Sequence, residues 1–598
     1  MWSGAAVLLA ALGAGLATGL IEVLIHTIRQ RVLHRTLMMG REYLWQLPAA
    51  DAVVFLAFGV LLLALGLLWR SLRAPQLVIA CCVGLAAFAL LLLSERIHPA
   101  AEALLAVGLG VAIGRGLAPR AAVLQRVLRA GVPVVLALVL ATGVGQRVIR
   151  AVAERRGLAR LPVAEPGRPN VLLLVLDTVR AWSLGLYGYV RPTTPKLQEW
   201  SARGALFERV LTAAPWTTPS HAVMFTGRYP TELSVSWDRP LDGTFPTLAE
   251  VLRHAGYATA GFVGNFTQAG SPTGLDRGFL HYEDYPVTLI SMLRRTGLLR
   301  RLFALDRIGR LVGRRPMVEA TAAERLNHDL LGWVAERSGR PWFAFVNYNE
   351  AHGPYLPPAP YDTLYFPGPA PAADRYWDNM VRAYGPPPVP IEDLAISVDA
   401  YDGAITYLDR EIDALLRELD GKGLLANTIV VVTSDHGELF GEHGVIAHGN
   451  SLFLPVLRVP LLLIAPGRIP SGIKIGSLAS LRDLSATLLE LAGIPNPDMP
   501  GHSLAGLWGP AGPASVTDTL FSFVEYNRRL PKWPPSPVLK GSLQSIVLDS
   551  LEYIRNGDGA EELYHLGRDP WQVRNLVSDS TYRADLVRYR AALQAIPH

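Results

Sequence analysis

The chain has 598 residues, of which half are hydrophobic and 18% are charged, and its net charge is +5. The positive charge is confined to residues 1–160, which contain 16 Arg, no Lys and 6 acidic residues, a net of +10 that leaves −5 for the remainder. Arg beside apolar segments is typical of membrane flanks, so we expect no nucleic acid among the partners. The length predicts two or more domains.

Five apolar segments in the first 150 residues are long enough for membrane-spanning helices, which need about 20 mostly apolar residues. They are residues 4–26, 50–69, 75–94, 99–117 and 130–149. The first has no basic stretch before it and further spans follow it, so we interpret it as a retained helix rather than a cleaved signal peptide. We expect an all-α transmembrane domain of about five helices over 1–150, in the lipid bilayer of the cell (inner) membrane.

Two groups of arginines favour cytoplasmic loops after the first and the fourth apolar segment. In a five-span model these loops lie on opposite faces, so charge alone leaves the orientation open. The groups are Arg29, Arg31, Arg35 and Arg41, and Arg115, Arg120, Arg126 and Arg129.

The two cysteines of the chain, Cys81 and Cys82, both lie in the third apolar segment. The soluble part therefore has neither disulfides nor a thiol nucleophile. Residues 151–168 are rich in Arg and then contain Pro and Gly, which predicts a linker.

Short apolar runs after this linker predict strands that are buried on both faces. Amphipathic helical stretches lie between them, and this alternation predicts an α/β sandwich with a mainly parallel central sheet over 169–508. The runs are Asn170–Leu176, Trp342–Val346, Ile429–Val432 and Leu461–Ile464, and the helical stretches are 245–256, 321–338, 397–419 and 480–492.

The last part of the chain, residues 509–598, predicts a small C-terminal subdomain. It contains two strand-like pieces, Thr519–Glu525 and Ser545–Leu548, and a final helix. Segments 353–390 and 509–515 are rich in Pro and Gly and are predicted loops.

Three polar residues follow two of the predicted strands. Asp177 closes the first run, and Asp435 with His436 comes after the third. Ligands gather at the carboxyl ends of parallel strands, and carboxylate with imidazole suits a divalent cation. Alternatively, Asp177 caps the next helix, and the Asp-His-Gly stretch forms a turn with a structural histidine.

Thr217 lies in the segment Trp216-Thr217-Thr218-Pro219-Ser220-His221. Pro is well placed in the first turn of a helix, where its missing N–H costs nothing. A hydroxyl just ahead of that turn faces backbone N–H groups and the positive end of the helix, which favour a bound anion. Thr217 is therefore a candidate nucleophile; the alternative is a helix-capping Thr without chemistry.

Residues 170–577 resemble the sulfatase-like branch of the alkaline phosphatase superfamily, with the matching stretches in the family's order. These stretches are Asn170–Arg180, Thr193–Pro195, Trp216–Pro230, Asp276–Phe279, Asn349–Tyr355, Tyr401-Asp402, Asn427–Gly437, Gly441–Gly444, His448-Gly449, Arg458–Pro460, Ala465–Gly467, Asp483–Gly493, Gly501–Leu504, Glu562–Tyr564 and Asp569-Pro570.

The resemblance implies roles for individual residues. Asp177, Thr217, Asp435 and His436 would hold one divalent metal ion (Zn, Mn, Ca or Mg). Thr217 would also be the nucleophile and form a covalent phospho- or sulfo-enzyme intermediate. Three histidines would serve the ester, because its charge must be stabilised in the transition state and its leaving group protonated. They are His352, His448 and, as an assisting group, His443.

The chain also departs from the family's pattern. Sulfatases that use formylglycine carry Cys or Ser where Thr217 stands, so formylglycine chemistry is not expected. Their Arg two residues after the Pro is His221 here, and their second metal-binding Asp is Thr178. Trp182 and Ser183 replace an Asp-His pair of many relatives. Asn265 lies in the region of a Lys-Trp-His segment that sulfatases use. His221 and Asn265 are thus candidate substrate contacts.

A Thr nucleophile with a five-span anchor resembles two groups of membrane enzymes, which transfer phosphoglycerol or phosphoethanolamine. The second group usually has disulfides, which are absent here. We therefore expect a membrane-anchored, metal-dependent hydrolase or transferase of phosphate or sulfate esters. Its substrate would be a lipid-linked or envelope-polymer ester, and its catalytic domain would be periplasmic or extracellular. The alternative is a weak or inactive domain that binds anionic glycans or signals through the membrane, which Thr178, Trp182 and His221 favour.

Overall fold

The computed structural model describes residues 1–33, 39–40, 42–94, 97–284, 288–303, 321–337, 339–366, 391–496, 498–508, 519–527 and 536–596. The chain divides into two compact units. The first comprises Met1–Arg155 and Pro286–Glu319, and the second comprises Arg156–Tyr285 and Ala320–His598. Of the loops expected at 353–390 and 509–515, residues 367–390 and 509–515 lie outside the described residues.

The α-helices in the described residues are numbered in chain order. They are α1 (Gly4–Arg31), α2 (Tyr43–Leu68), α3 (Pro75–Leu91), α4 (Pro99–Leu117), α5 (Ala121–Ala159), α6 (Pro195–Ser201), α7 (Thr217–Thr226), α8 (Leu248–His254), α9 (Phe266–Ala269), α10 (Leu289–Arg295), α11 (Gly297–Phe303), α12 (Ala323–Ala335), α13 (Ile391–Gly421), α14 (Leu454–Leu457), α15 (Leu484–Leu491) and α16 (Arg583–Gln594).

The β-strands are numbered in the same way. They are β1 (Asn170–Leu176), β2 (Ala205–Leu211), β3 (Ala258–Val263), β4 (His281–Glu283), β5 (Trp342–Tyr348), β6 (Thr428–Thr433), β7 (Leu439–Phe440), β8 (Ile446–Ala447), β9 (Arg458–Ile464), β10 (Ile473–Ser480), β11 (Leu520–Val524), β12 (Leu543–Leu548), β13 (Leu551–Arg555) and β14 (Glu561–His565).

Helices α1 to α5 lie where the five apolar segments predicted them. By length and composition, three helical stretches among the described residues are able to cross a membrane: Gly4–Arg31, Tyr43–Leu68 and Pro99–Ala159. Pro75–Leu91 is apolar but shorter. Membrane association is thus suggested by the helices, and the number of five spans stays a prediction.

Small residues allow α1 and α2 to approach closely. A Cβ on Gly19 would lie 2.4 Å from the Cα of Pro48, and one on Gly15 would lie 2.6 Å from the carbonyl oxygen of Asp51. Such contacts between backbones are typical of helices packed inside a membrane.

Helices α10 and α11 belong to the first unit, although sequence analysis placed them in the catalytic domain. The backbone N–H of Gly297 donates to the Glu22 carboxylate at 3.2 Å, and Arg295 donates to Gln46. These hydrogen bonds tie the segment to α1 and α2. The residues that make these hydrogen bonds are far apart in sequence. The local pattern of apolar residues therefore could not predict that the segment belongs to the first unit.

The second unit is built on a sheet with the strand order β10-β2-β9-β6-β1-β5-β3-β4 in the described residues. Every neighbouring pair is parallel except the two pairs of β9, which runs antiparallel to β2 and β6. The mainly parallel α/β sheet is therefore confirmed. Alternate residues of β1 enter separate cores on its two faces, since Leu172 packs with one apolar cluster and Val171 with the other.

The C-terminal part contains a second, antiparallel sheet in the order β11-β12-β13-β14, and α16 packs against it. Tyr589 of α16 is fully buried and its hydroxyl donates to the Leu551 carbonyl oxygen at 3.1 Å. The sequence patterns predicted β11, β12 and α16, and they missed the hairpin partners β13 and β14.

Candidate metal and ester site

Asp177 and Asp435 meet at one edge of the large sheet. Strands β1 and β6 are parallel neighbours, and Val175 pairs with Thr433 at their carboxyl ends. Each aspartate lies two residues beyond that pair, so the two carboxylates come from adjacent strand ends. The backbone N–H of Asp177 donates to the Tyr348 carbonyl oxygen at 2.9 Å, which holds this turn to β5.

Three side chains at this edge are arranged as a set of metal ligands. Ligand atoms of Asp177, Asp435 and His436 all lie within 4.8 Å of one another, and all three residues are buried. His436 Nε2 lies 3.8 Å from Asp177 Oδ1 and 3.4 Å from Asp435 Oδ2. Neither of these carboxylate oxygens has a hydrogen-bond partner within the described ranges.

The charges of this cluster fit a bound cation. Burial and the neighbouring Asp177 carboxylate raise the pKa of Asp435 well above its ordinary value, since two buried carboxylates repel. Burial lowers the pKa of His436, which favours the neutral imidazole that a metal ion needs. Two unpaired carboxylate oxygens and one imidazole nitrogen are donors for a hard or borderline divalent ion.

Thr217 is the first residue of α7 and adjoins the cluster. Its Oγ1 lies 3.4 Å from His436 Nε2, and the residue is 1% exposed. The Ser220 hydroxyl of the same helix donates to the Asp435 carbonyl oxygen at 2.6 Å, which fixes the start of α7 against the turn after β6. Thr217 thus lies beside the ligand atoms and at the positive end of its helix.

Two amides hold the second oxygen of Asp177. Asn265 Nδ2 donates to Asp177 Oδ2 at 2.8 Å, and Asn347 Nδ2 does so at 3.3 Å. Asn265 Oδ1 accepts from Gln268 and caps α9. These contacts favour a positioning role for Asn265 over the substrate contact predicted from sequence. Sequence analysis missed Asn347. The feature that could have revealed it is its position as a polar residue inside the apolar strand β5.

Thr178, which replaces an acidic residue of the family's pattern, contributes its backbone to the site. It has a positive φ of 63°, and its N–H donates to Asp435 Oδ1 at 3.2 Å. Its hydroxyl donates to the Ala351 carbonyl oxygen at 2.7 Å and so points away from the ligand atoms.

His352 and His448 lie next to the cluster. The ring centroid of His448 is 4.5 Å from that of His436 and 5.1 Å from that of His352. His448 Nδ1 lies 3.0 Å from Glu438 Oε1, and Tyr355 donates its hydroxyl to Glu438 Oε2 at 2.8 Å. Burial lowers the pKa of His448, but the Glu438 carboxylate more than offsets this and the net shift is upward. Sequence analysis missed Glu438, although it follows Asp435-His436-Gly437 directly.

His221 and His443 are two further predicted substrate contacts, and His221 Nδ1 lies 3.6 Å from Asp435 Oδ2 of the cluster. His221 is fully buried, its Nδ1 is 2.8 Å from the Thr217 carbonyl oxygen, and its ring packs edge-on against Phe345. Burial lowers its pKa. His443 has a positive φ of 56°, and its ring stacks on Phe453 at 3.8 Å. His221 is thus buried in the core next to the cluster, and His443 packs on an aromatic residue. Neither geometry favours the predicted contact with substrate.

Comparisons with known proteins identify the family of the chain. The family model described as Sulfatase matches residues 169–494, and the model described as N-sulphoglucosamine sulphohydrolase, C-terminal, matches residues 441–596. Arylsulfatase K of Bos taurus is 26% identical over 462 residues, which cover 71% of this chain and 81% of the relative. Iduronate 2-sulfatase of Mus musculus is 28% identical and the match covers 50% and 60% of the two chains.

Solved structures share the fold. The phosphonate monoester hydrolase of Agrobacterium radiobacter matches with a TM-score of 0.56 and 22% identity, covering 72% of this chain and 95% of that one. The phosphonate monoester hydrolase of Silicibacter pomeroyi matches with a TM-score of 0.57 and 23% identity, covering 71% and 94%.

Proposed function

Since the chain belongs to the sulfatase family, we propose that it cleaves its ester by direct attack of Thr217 and that it does so as a membrane-anchored enzyme. Family membership makes the chain an enzyme, a hydrolase that acts on sulfate or phosphate esters. The nucleophile, the choice between the two esters and the anchor are the proposed parts.

One observation carries the proposal: Thr217 Oγ1 lies 3.4 Å from His436 Nε2, beside two buried carboxylate oxygens that have no hydrogen-bond partner in the described chain. A divalent ion held by Asp177, Asp435 and His436 would lower the pKa of the alcohol and stabilise the negative charge of the transferring group. This position supports Thr217 as the attacking alkoxide.

The remaining steps use side chains of the chain itself. Thr217 Oγ1 forms a bond to phosphorus or sulfur, and the bond from that atom to the leaving oxygen breaks. His448, held at Nδ1 by Glu438, is oriented to give the proton of Nε2 to the leaving oxygen. Water or an acceptor alcohol then attacks the phosphorus or sulfur of the Thr217 ester while the neutral His448 takes its proton. The bond from Thr217 Oγ1 to that atom breaks, and both the Thr217 alkoxide and the protonated His448 are restored.

The side chain of Thr217 favours this route over formylglycine. Formylglycine is an aldehyde, and the Cβ of Thr carries a methyl group, so oxidation of Thr217 would give a ketone instead. Direct attack leaves a covalent ester on Thr217 that can pass to water or to an alcohol. Both hydrolysis and transfer are compatible with the site.

The proposed anchor favours a substrate at the membrane surface. A tethered enzyme meets lipid-linked or envelope-polymer esters at a raised local concentration. We propose that the second unit is periplasmic or extracellular, in agreement with the orientation expected from the resemblance.

A comparison of Thr217→Ala with Thr218→Ala tests the nucleophile. Thr218 is the next residue of α7, and its hydroxyl donates to the Gln268 carbonyl oxygen at 2.7 Å. Full-length protein in detergent is assayed with an aryl phosphate, a phosphodiester and an aryl sulfate. We expect Thr217→Ala to lose roughly 10³-fold or more in kcat and Thr218→Ala to stay within about tenfold of wild type. Unchanged turnover in Thr217→Ala would show that another group attacks.

Added acceptors separate a hydrolase from a transferase. Glycerol or a diacylglycerol is included in the assay, and the products are identified by mass spectrometry. Capture of the transferred group by the added alcohol indicates a transferase, whereas free phosphate or sulfate alone indicates a hydrolase. If the purified protein contains no metal ion and cleaves none of the esters, a binding or signalling domain is favoured instead.

A further inference from the structure

Residues 288–303 of the first unit, which contain α10 and α11, lie at one end of the bundle of α1 to α5. Hydrogen bonds to Glu22 and Gln46 tie them to the C-terminal half of α1 and to the first turn of α2. A Cβ on Gly297 would lie 2.7 Å from the carbonyl oxygen of Ala89, which is two residues before the end of α3. The segment therefore packs where α1 and α3 end and α2 begins.

The chain passes into the second unit at this same end of the bundle. Arg150, in the C-terminal half of α5, pairs with Glu42 directly before α2, and the second unit begins at Arg156. Tyr43 and Trp45 lie in the first turn of α2, and Tyr and Trp are enriched where membrane helices meet water. In the proposed anchor, α10 and α11 therefore lie at the boundary between lipid and water.

The segment combines positive charge with exposed apolar side chains. Its sixteen residues include four arginines, no acidic residue and eight apolar residues. Leu289 and Ile290 are 58% and 42% exposed, although both side chains are large and apolar. Exposed apolar side chains beside basic ones are typical of helices that lie in the plane of a membrane interface. The arginines are Arg294, Arg295, Arg300 and Arg301.

Two of these arginines have side chains that are not engaged by the described residues. Arg300 is exposed and Arg301 is half-buried, and neither guanidinium makes a hydrogen bond or an ion pair within the described ranges. The acid of this region, Glu22, is fully buried and accepts from the backbone of α11. Arg31, in the last turn of α1, is also exposed. This end of the bundle thus presents a positive surface, which complements the phosphates of an anionic bilayer.

We propose that α10 and α11 bind anionic phospholipid at the membrane surface. Leu289 and Ile290 enter the interface, and Arg300 and Arg301 donate charge-assisted hydrogen bonds to lipid phosphates. The inference rests on the proposed membrane anchor and is independent of the role of Thr217. Because the segment interrupts the stretch that matches the sulfatase family, this contact ties the catalytic unit to the lipid surface at a second point besides α5.

Lipid binding to delipidated full-length protein in detergent tests the charge. Native mass spectrometry follows titrations with phosphatidylglycerol and with phosphatidylcholine. The double variant Arg300→Gln/Arg301→Gln is expected to raise the dissociation constant of the tightest phosphatidylglycerol at least tenfold and to leave phosphatidylcholine binding unchanged. The matched control is Arg115→Gln/Arg120→Gln, which removes two exposed arginines at the other end of the same bundle. An equal loss in both double variants, or equal affinity of the wild type for both lipids, would overturn the proposal.

A spin label at Leu289→Cys tests the position of the segment in nanodiscs that contain phosphatidylglycerol. The background is Cys81→Ala/Cys82→Ala, and the references are Leu138→Cys, 62% exposed on α5, and Val573→Cys, 82% exposed in the second unit. We expect oxygen to relax the labels at 289 and 138 more than an aqueous nickel complex does, and the reverse at 573. A label at 289 that behaves like the one at 573 overturns this proposal alone. If the label at 138 is also in water, the anchor itself is wrong and the proposal falls with it.

Discussion

The Glu438 carboxylate accepts hydrogen bonds from two side chains beside the metal ligands, His448 at 3.0 Å and Tyr355 at 2.8 Å. The contact at Nδ1 sets the orientation of the His448 ring and leaves Nε2 for the substrate. Glu438 itself is 1% exposed. It is therefore a positioning residue, and its effect depends on how much the leaving group needs a proton.

Glu438→Gln is expected to lower kcat by about 10–100-fold with little change in KM, because an amide holds the ring less firmly and does not stabilise its charge. The loss should be larger for an alkyl ester than for a 4-nitrophenyl ester, whose leaving group departs without protonation. Glu442→Gln is the matched control, since that carboxylate pairs with Arg180 at 2.6 Å. An equal loss for both esters would indicate a structural role alone.

A second prediction at the residue scale concerns the Asp177 carboxylate. Wild-type protein is expected to contain about one divalent ion per chain by elemental analysis. Asp177→Asn should lower this content and reduce kcat by roughly 10²-fold or more, because it removes a charged ligand. Chelation of the wild type should lower both activity and the thermal midpoint, since an ion that binds only the folded state stabilises it.

Asp409→Asn serves as the matched control for the metal. Asp409 is also a buried carboxylate, but it accepts from the backbone of Lys196 and Leu197, contacts that Asn can keep in part. Its metal content should equal that of wild type. Equal metal content in Asp177→Asn would contradict the proposed ligand set.

At the scale of elements, the presence of a continuous apolar run in the sequence decided which strands could be predicted. Strands β1, β5 and β6 are continuous apolar runs, and sequence analysis located all three. Strand β10 lies at the sheet edge and mixes buried with exposed residues, and β3 contains Thr259 and Gly261. Neither has the pattern of a buried run, and only pairing with neighbours makes them strands.

The residues of the candidate site likewise divide into those that the local sequence revealed and those that it did not. Asp177, Asp435 and His436 follow strand ends, so local sequence with the parallel topology was enough to bring them together. Asn347 and Glu438 act through contacts with residues that are 170 and 10 positions away. His221 lies within the same motif as Thr217, yet the helical geometry of α7 turns its ring into the core. Position within a motif did not reveal the direction of that side chain.

Strand β13 contains a buried acid that makes stability depend on pH. Burial raises the pKa of Glu552 to about 8, and the carboxyl group contacts Ser545 and Gln572. Because the folded-state pKa lies above the unfolded value of 4.5, its stabilising contribution is full below pH 4.5 and is lost as pH rises towards 8. Glu552→Gln is neutral at every pH, and its amide can satisfy both neighbours.

Relative to wild type, Glu552→Gln should therefore gain stability as pH rises from 5 to 8, by about 2–4 °C in the thermal midpoint. Glu561→Gln is the control, because a hydrogen bond from Arg590 lowers the pKa of Glu561, so its difference from wild type should stay constant between pH 5 and 8. Calorimetry at a series of pH values measures both. A difference between Glu552→Gln and wild type that does not change with pH would contradict the assignment.

At the scale of the whole molecule, the boundary between the two units differs from the one that sequence suggested. The segment Pro286–Glu319 groups with Met1–Arg155, although 130 residues of the second unit precede it. A family match that starts at residue 169 and continues to 494 runs across this segment. The insertion thus interrupts the catalytic domain in sequence and belongs to the helical unit in structure.

The number of spans determines whether the N-terminus and the catalytic unit lie on the same side of the membrane, and single cysteines can measure both this and the orientation. Cys81→Ala and Cys82→Ala give a background without thiols, because the chain has only these two cysteines. Ser3→Cys and Ser578→Cys then mark the N-terminus and the second unit at exposed positions. Spheroplasts are treated with a membrane-impermeant maleimide before and after permeabilisation.

An odd number of spans, such as the predicted five, places the two markers on opposite sides. For a catalytic unit outside the cytoplasm, Ser578→Cys should react in intact spheroplasts and Ser3→Cys only after permeabilisation. The reverse order would place the enzyme in the cytoplasm, where envelope esters do not occur. Reaction of both markers from the same side would require an even number of spans, and one of α1 to α5 would then lie along the membrane or outside it.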